Sequence, residues 1–523
     1  MENLIINRRK QRKTNMKGIT LIALVITIIV LLILAGVSIA MLTGNSGILT
    51  QANEGKEKSE IAEVKERVQT DIAAKQAENK NPILTERELN EILSKYGIVE
   101  DRNGKKVLVT KDGKYEILVE DIWAGILSKD YIVADGSWDG QVNTPKLTSD
   151  MSPVAWDDSN NEYIPKTNDE WFNYEEQRWA NAKTKDGSYW VWIPRFEYKI
   201  IDTTGGDYTK AGEIKIRFIS ADTKKGTSGY TTIDGITKSD DEYIIHPVFT
   251  DGRDEGFSNG EWDSELSGFW ISKYKMSQVD GTGNNIATVS SEKGNVGLSD
   301  NVKMVSKPGM SMWSNINVAN CYTNSFKYDR NKESHLTKNS EWGALVYLTH
   351  SKFGRNGQEV TLNTTSYAGG GENEEYKSQV VQNSTNNITG VYDISGGYFH
   401  KMAVFNNSYS GSMFENKDVE GNHFASTGGQ STKYATAYSN NTDVVNGDFS
   451  VGEVSKIGDA VGEICTKGQY SWFNDYAHYV FMGNAFLHRG GVGSWGATDG
   501  IFSSVSNNGS GTGNDSFRVA LCI

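Results

Sequence analysis

The rhythm of apolar and polar positions changes several times along this chain, and each change predicts a different element. Residues 19–42 hold 24 positions without a charge; as a helix they span roughly 36 Å, enough to cross a bilayer core. Arg8, Arg9, Lys10, Arg12, Lys13 and Lys17 precede this run. Retention of positive charge inside therefore predicts a basic cytoplasmic leader over 1–18, a single pass through the cell membrane over 19–42, and an extracellular remainder. Over 54–80, Ile61, Val64, Val68 and Ile72 recur three and four apart among Glu, Lys, Ala and Gln. That narrow stripe predicts a helical stalk within 43–82, closed by Asn81-Pro82.

A small α+β spacer is predicted over 83–122, with a helix near 85–96 and a hairpin of 105–110 and 114–120 turned at Asp112-Gly113. From Trp123 onward Trp, Tyr, Gly and Asn become frequent. Segments 188–198 and 268–277 read as strands whose aromatic faces belong in a core. Helices follow at about 312–325 and from His335 through Leu348. In the second, Thr337 with Ser340 or Glu341 caps the start, and Trp342, Leu345 and Leu348 or Val346 form the buried face. Residues 517–523 read as a last, buried strand.

Composition narrows the function. The chain has 523 residues, a net charge of −13 and a pI near 5.2, so a general nucleic-acid-binding surface is not expected. Cys321, Cys465 and Cys522 are too few for a disulfide framework; Cys321 and Cys522 either pair or sit buried as small hydrophobes. The histidines His246, His335, His350, His400, His423, His478 and His488 are scattered and read as surface or hydrogen-bonded structural residues. No P-loop, dinucleotide fingerprint or nucleophile elbow stands in a strand-to-helix context.

Between Val492 and Ser516, 19 of 25 positions are Gly, Ser, Asn, Asp or Thr. This would read as a linker, except that it runs directly into the terminal apolar strand, so it reads as an ordered surface pinned at both ends. Short polar side chains there can hydrogen-bond a partner at small entropic cost, with Trp495 and Phe502 as apolar anchors.

Three resemblances add to this reading. Lys17-Gly18-Ile19-Thr20-Leu21-Ile22-Ala23 resembles the N-terminus of type IV pilins. That implies cleavage after Gly18, methylation of Ile19 and pilin-like self-association, although the family's Glu at the fifth mature position is Ala23 here. Further on, four segments occur in a fixed order: the helix beginning near His335, Asn387-Ile388-Thr389-Gly390-Val391-Tyr392-Asp393-Ile394-Ser395-Gly396-Gly397, Arg489-Gly490-Gly491, and Ser516-Phe517-Arg518-Val519-Ala520-Leu521. This order is similar to the formylglycine-generating enzyme (sulfatase-modifying factor) family. It covers 268–523, with a weaker extension over 123–267. The implied fold class is α+β: a membrane and stalk helix, a small α+β module and a C-type lectin-like domain.

In that family copper is held by a cysteine pair after the Gly-Gly motif; here no cysteine lies between Gly491 and Phe517. The iron-dependent branch needs a His-x3-His-x-Glu pattern, which is also absent. Hence no enzyme activity, cofactor or assigned metal site is expected, calcium being a secondary alternative offered by the abundant Asp and Asn without a compact ligand loop, with a family-type enzyme and a structural minor pilin as the rival readings. The stretch 492–516 also resembles the variable region of diversity-generating retroelement target proteins. Replacing adenines in Asn codons cannot produce Lys, Glu, Gln or Met, and none of these occurs there; Trp495 would be an unmutated template residue. An ordinary polar loop has the same composition. The resemblance implies a binding surface for a protein or glycan, formed by Val492, Ser494, Trp495, Thr498, Asp499, Phe502, Ser504, Ser506, Asn507, Asn508, Ser510, Thr512, Asn514 and Asp515. Its scaffold would be Arg489, Gly490, Gly491, Phe517 and Arg518, with both arginines holding the site through buried hydrogen bonds.

Overall fold

The computed structural model describes residues 25–34, 48–79, 84–102, 105–123, 127–128, 132–233, 236–250, 262, 264–409, 431–439, 456–467, 470–481, 483–494, 496 and 498–523. It is a mixed α and β protein that divides into two compact units, Met1–Leu127 and Ser128–Ile523.

In the first unit, residues 25–34 are helical with exposed apolar side chains. No helix among the described residues is long and apolar enough to cross a membrane. Most of the predicted span over 19–42, with the Gly18 and Ile19 processing site, lies outside the described residues. Helix α1 (Ile48–Asn79) carries the predicted stripe, but the stripe does not face solvent as in a free stalk. Val68 and Ile72 are buried, and Ile61 and Val64 pack beside them, against Leu89, Ile92 and Leu93 of α2 (Glu86–Ser94). The start of α2 is fixed by a reciprocal cap: Glu88 N donates to Thr85 Oγ1 at 3.2 Å and Thr85 N to Glu88 Oε2 at 2.9 Å. A three-stranded antiparallel sheet completes this unit: β1 (Gly97–Arg102), β2 (Lys105–Thr110) and β3 (Glu116–Leu118). The hairpin turns at Asp112-Gly113 as predicted, with Gly113 at φ 68°. Strand β1 was not anticipated, because its exposed, charged sequence Gly-Ile-Val-Glu-Asp-Arg lacks a strong apolar alternation.

The second unit is built on a seven-stranded antiparallel sheet. Its strands include β4 (Met151–Trp156), β5 (Asn181–Thr184) and β6 (Tyr189–Pro194), each paired to the next. After β7 (Phe196–Ile201) and β8 (Glu213–Phe218), which belong to a separate five-stranded sheet, the chain returns as β9 (Gly268–Ser272) beside β6. The two predicted aromatic strands are thus direct neighbours, with Trp192 opposite Trp270. Both rings are buried, and their indole N–H groups donate to the Asn143 and Lys146 carbonyls at 3.1 and 2.6 Å. Each tryptophan therefore supplies apolar area to the core and a polar tether to a loop.

Helix α3 (Val318–Tyr328) begins later than predicted, at an Asn317 cap. Next come β10 (His335–Leu336) and α4 (Asn339–His350). Thr337 does not cap α4: its hydroxyl donates to the Arg518 carbonyl at 3.2 Å, because β10 is drawn into pairing with the chain terminus. Glu341 accepts the Lys338 N–H at 2.8 Å instead. All twelve residues of α4 are buried, so the expected one-sided face is replaced by a helix enclosed on all sides.

A second, four-stranded sheet carries the far end of the chain. Its order is β13 (Ser504–Asn507), β12 (Phe486–Arg489), β11 (Phe399–Lys401) and β14 (Asp515–Phe517). The predicted last strand is two strands: β14 runs parallel to β11, whereas β15 (Val519–Leu521) enters the large sheet between β10 and β9. Arg518 sits at the switch, buried, and its guanidinium donates to the Ser272 and Tyr392 carbonyls. Arg518→Met leaves both buried carbonyls without a donor and is expected to lower unfolding free energy by about 2–4 kcal/mol in urea titration of the full chain; a loss under about 0.5 kcal/mol contradicts this role.

Candidate functional site: the C-terminal surface

The four sequence motifs converge beneath the 492–516 segment. Trp342 of α4 donates its indole N–H to the Ile501 carbonyl at 3.0 Å. Gly396 N donates to the Gly490 carbonyl at 2.7 Å, and Gly493 N to the Gly397 carbonyl at 3.1 Å. Phe399 N then donates to the Asn514 carbonyl at 2.8 Å, so the two ends of the segment are held at Gly397 and Phe399, two residues apart in the chain. Gly490 and Gly491 have φ of 73° and 66°. A Cβ on Gly491 would lie 2.3 Å from that of Asp499, so only glycine permits this approach. Arg489 is buried and donates to the Ala460 carbonyl at 2.9 Å and to Asn339 Oδ1 at 3.4 Å. Arg489 and Arg518 are thus both buried and hydrogen-bonded, to partners outside the 492–516 segment.

Two buried carboxylates pin the segment from below. Asp475 accepts the Gly500 and Phe502 amides at 2.8 and 2.9 Å; burial pushes its carboxyl up to about 8 against the pull of those donors. Asp515 accepts the Thr512 amide at 3.0 Å and pairs with the Lys401 ammonium at 3.0 Å, which also donates to the Ser510 carbonyl at 2.8 Å. Burial opposes charge on Asp515, yet the adjoining His488 and Lys401 side chains and its hydrogen bonds hold the carboxyl below the usual range. His488 stands beside Lys401 at 3.2 Å. Burial lowers its ring to about 3, which leaves it neutral at pH 7 and makes Lys401 the cation of the group.

On this frame the candidate residues divide. Ser494, Asn508, Thr512 and Asn514 are exposed, and Thr498, Ser506, Asn507 and Ser510 are half-buried. Their loop is ordered by its own side chains: Asn507 Oδ1 accepts the Gly509 amide at 2.7 Å, and Asn508 Oδ1 accepts the Ser510 amide at 3.0 Å. Val492, Asp499, Phe502, Ser504 and Asp515 are buried, which corrects their assignment as contacts to a partner. Phe502 is no ligand anchor, because its ring is enclosed by Trp472, Phe473 and His350 with centroids 5.6, 6.2 and 5.5 Å away. Ser504 is buried because β13 pairs it with Arg489. Trp495 lies outside the described residues.

Lys401 and Asp475 carry no local mark of a site, and His488 reads only as one of the scattered histidines; pairing of β11 with β12 and β14 brings Lys401 and His488 to Asp515, and the turn after Trp472 brings Asp475 to the Gly500 and Phe502 amides. No disulfide joins Cys321, Cys465 and Cys522; all three thiols are buried. Of the two alternatives for Cys321 and Cys522, burial holds: Cys321 is packed in α3 while Cys522 lies beside the His335–Glu341 pair. His335, Glu341 and Cys522 place ligand atoms within 4.8 Å of one another. Yet His335 Nε2 and Glu341 Oε1 are only 2.6 Å apart, and His335 Nδ1 is 2.6 Å from the Glu333 carbonyl. A metal bound to both side chains would hold those atoms about 3.4 Å apart, so the group fits a hydrogen-bonded pair. No family model matches the chain, and no curated protein matches it.

His488 provides a pH test. Its ring is neutral in the fold and titrates near 6.5 when unfolded, so its contribution to stability is present above pH 6.5 and is lost as pH falls towards about 3. Asp475 and Glu463, raised to about 8 and 7, act in the opposite direction, so the comparison must be with a variant. Relative to His488→Gln, the wild-type chain is expected to lose about 2 kcal/mol more between pH 7 and pH 5 in chemical denaturation; parallel pH profiles contradict a neutral buried ring.

Proposed function

We propose that the chain is a membrane-anchored cell-surface binding protein that presents a variable, neutral polar surface on a C-type lectin-like frame. The observation that carries this reading is the row of accessible Ser, Asn and Thr side chains on a loop fixed from beneath by Asp515, Lys401 and Asp475. Accessible polar groups on a prearranged backbone lose little entropy when a partner docks. The ligand is a protein or a glycan, with no role for nucleic acid. The uncharged run over 19–42, with its basic flank, supports the membrane anchor, as do the exposed apolar side chains of 25–34. Pilin-type cleavage after Gly18 belongs to the same proposal. The thiols support a binding role over copper chemistry: none lies between Gly491 and Phe517, and all three are buried.

The test combines Asn508→Ala, Thr512→Ala and Asn514→Ala in the full chain, assayed against arrays of glycans and surface proteins. Array signals present in the wild type are expected to vanish while the melting temperature moves by no more than about 2 °C. Unchanged signals would remove the loop from binding. At the DNA level, a near-copy of the stretch encoding 492–516, differing only at adenines and lying beside a reverse transcriptase gene, is the expected companion of this surface.

A further inference from the structure

An unpaired sheet edge runs beside the carboxyl end of α4. Among the described residues, β8 is an outer strand of the five-stranded sheet. Its partner β7 places Glu197 opposite Arg217 and Lys199 opposite Lys215, and Ile219 N donates to the Arg195 carbonyl at 3.3 Å. Hydrogen-bonded pairs alternate along an antiparallel ladder. The backbone groups of Glu213, Lys215 and Arg217 therefore face β7, while those of Gly212, Ile214 and Ile216 face away. A groove of about 450 Å³ adjoins this edge, lined among others by Gly212, Glu213, Ile214, Lys215, His350 and Lys352.

His350 also lines this groove, at the end where α4 meets Gly212. It is 2 % exposed, and its Nε2 lies 2.9 Å from the Gly212 carbonyl oxygen. A carbonyl only accepts, so Nε2 carries the proton and Nδ1 is left as a lone-pair acceptor. Nδ1 is buried without a hydrogen-bond partner. Burial also holds the ring below its ordinary pKa, favouring the neutral form. The groove thus offers outward backbone donors and acceptors at Ile214 and Ile216. An extended main chain supplies the complement to all of these.

Charge selects among extended occupants. Lys199 and Lys215 are directly opposed across β7 and β8, a like-charge pair that weakens the sheet, and Lys352 lines the same groove. Their ion pairs, Lys199 with Glu242, Lys215 with Glu213 and Lys352 with Glu175, are all exposed and worth little, so they can be exchanged for others. A second copy of β8 centred on Lys215 would set lysine against lysine, the arrangement that keeps sheet edges apart. An acidic strand relieves the repulsion instead. We propose that this groove binds an extended acidic peptide segment of a partner protein, added beside β8 with main-chain bonds to Ile214 and Ile216 and carboxylates over Lys215 and Lys352.

The probe is a fluorescein-labelled octapeptide of alternating valine and glutamate, titrated against the full chain by fluorescence polarisation. A valine–lysine octapeptide is the control. Saturable binding is expected, weakened about tenfold or more with the lysine peptide and with Lys215→Glu. Ile216→Pro removes an outward N–H without touching the ladder and is expected to weaken binding by a similar factor. In hydrogen exchange, the Ile214 and Ile216 amides should slow when the glutamate peptide is added. The proposal is overturned if the glutamate peptide fails to saturate at millimolar concentration, or if Lys215→Glu and Ile216→Pro bind it as the wild type does. It is also overturned if these amides are already protected in a chain that self-associates with concentration, because a second copy then covers the edge.

Discussion

The C-terminal surface depends on a division made within the last nine residues. Asp515–Phe517 belongs to one sheet and Val519–Leu521 to another, and a backbone that changes sheets in one residue must satisfy the carbonyls exposed at the corner. Arg518 does this with a single buried guanidinium, reaching Ser272 on the large sheet and Tyr392 in the Gly-rich segment. Its planar fork can bond two carbonyls from different elements at once, which a lysine cannot match. Because the same few residues tie both sheets to the Asn387–Gly397 region, the surface loop inherits the rigidity of the whole core.

The second contribution comes from tryptophans acting at both ends. Trp192, Trp270, Trp313 and Trp342 are buried, and each donates its indole N–H to a backbone carbonyl, three of them in loops and that of Gly294 at the end of a helical turn. In a body with many irregular segments, buried backbone groups in loops are costly unless paired. These indoles pair several while filling the core. Trp342 links the enclosed helix α4 to Ile501, so the interior and the presented surface share one packing unit.

Much of the fold was legible where local chemistry decides it. The Thr85–Glu88 cap, the Asp112-Gly113 turn and the aromatic strands around Trp192 and Trp270 each carry their signal within a few residues. What could not be read lies in long-range pairing. The apolar stripe of α1 shows periodicity but not its partner, so Val68 and Ile72 looked like a stalk and are instead core residues beside α2. Thr337 has the right identity for a cap, but β-pairing of His335–Leu336 takes its hydroxyl elsewhere. In the surface segment, composition marks polarity and not direction. Asp515 and Asn514 are equally polar neighbours, yet strand pairing turns one inward to Lys401 and leaves the other exposed. Phe502 looked like an exposed anchor because a lone aromatic in a polar run carries no mark of the Trp472 and Phe473 rings that enclose it.

Binding at this surface therefore requires a polar loop that is rigid although its composition resembles a linker. Hydrogen exchange of the full chain over residues 508–515 addresses that point most directly. The amides of Gly509, Ser510 and Thr512, held by Asn507, Asn508 and Asp515, should exchange at least about a hundredfold more slowly than an unstructured peptide of the same sequence. Exchange at the unstructured rate would mean that nothing fixes the loop, and a preorganised binding surface would be ruled out.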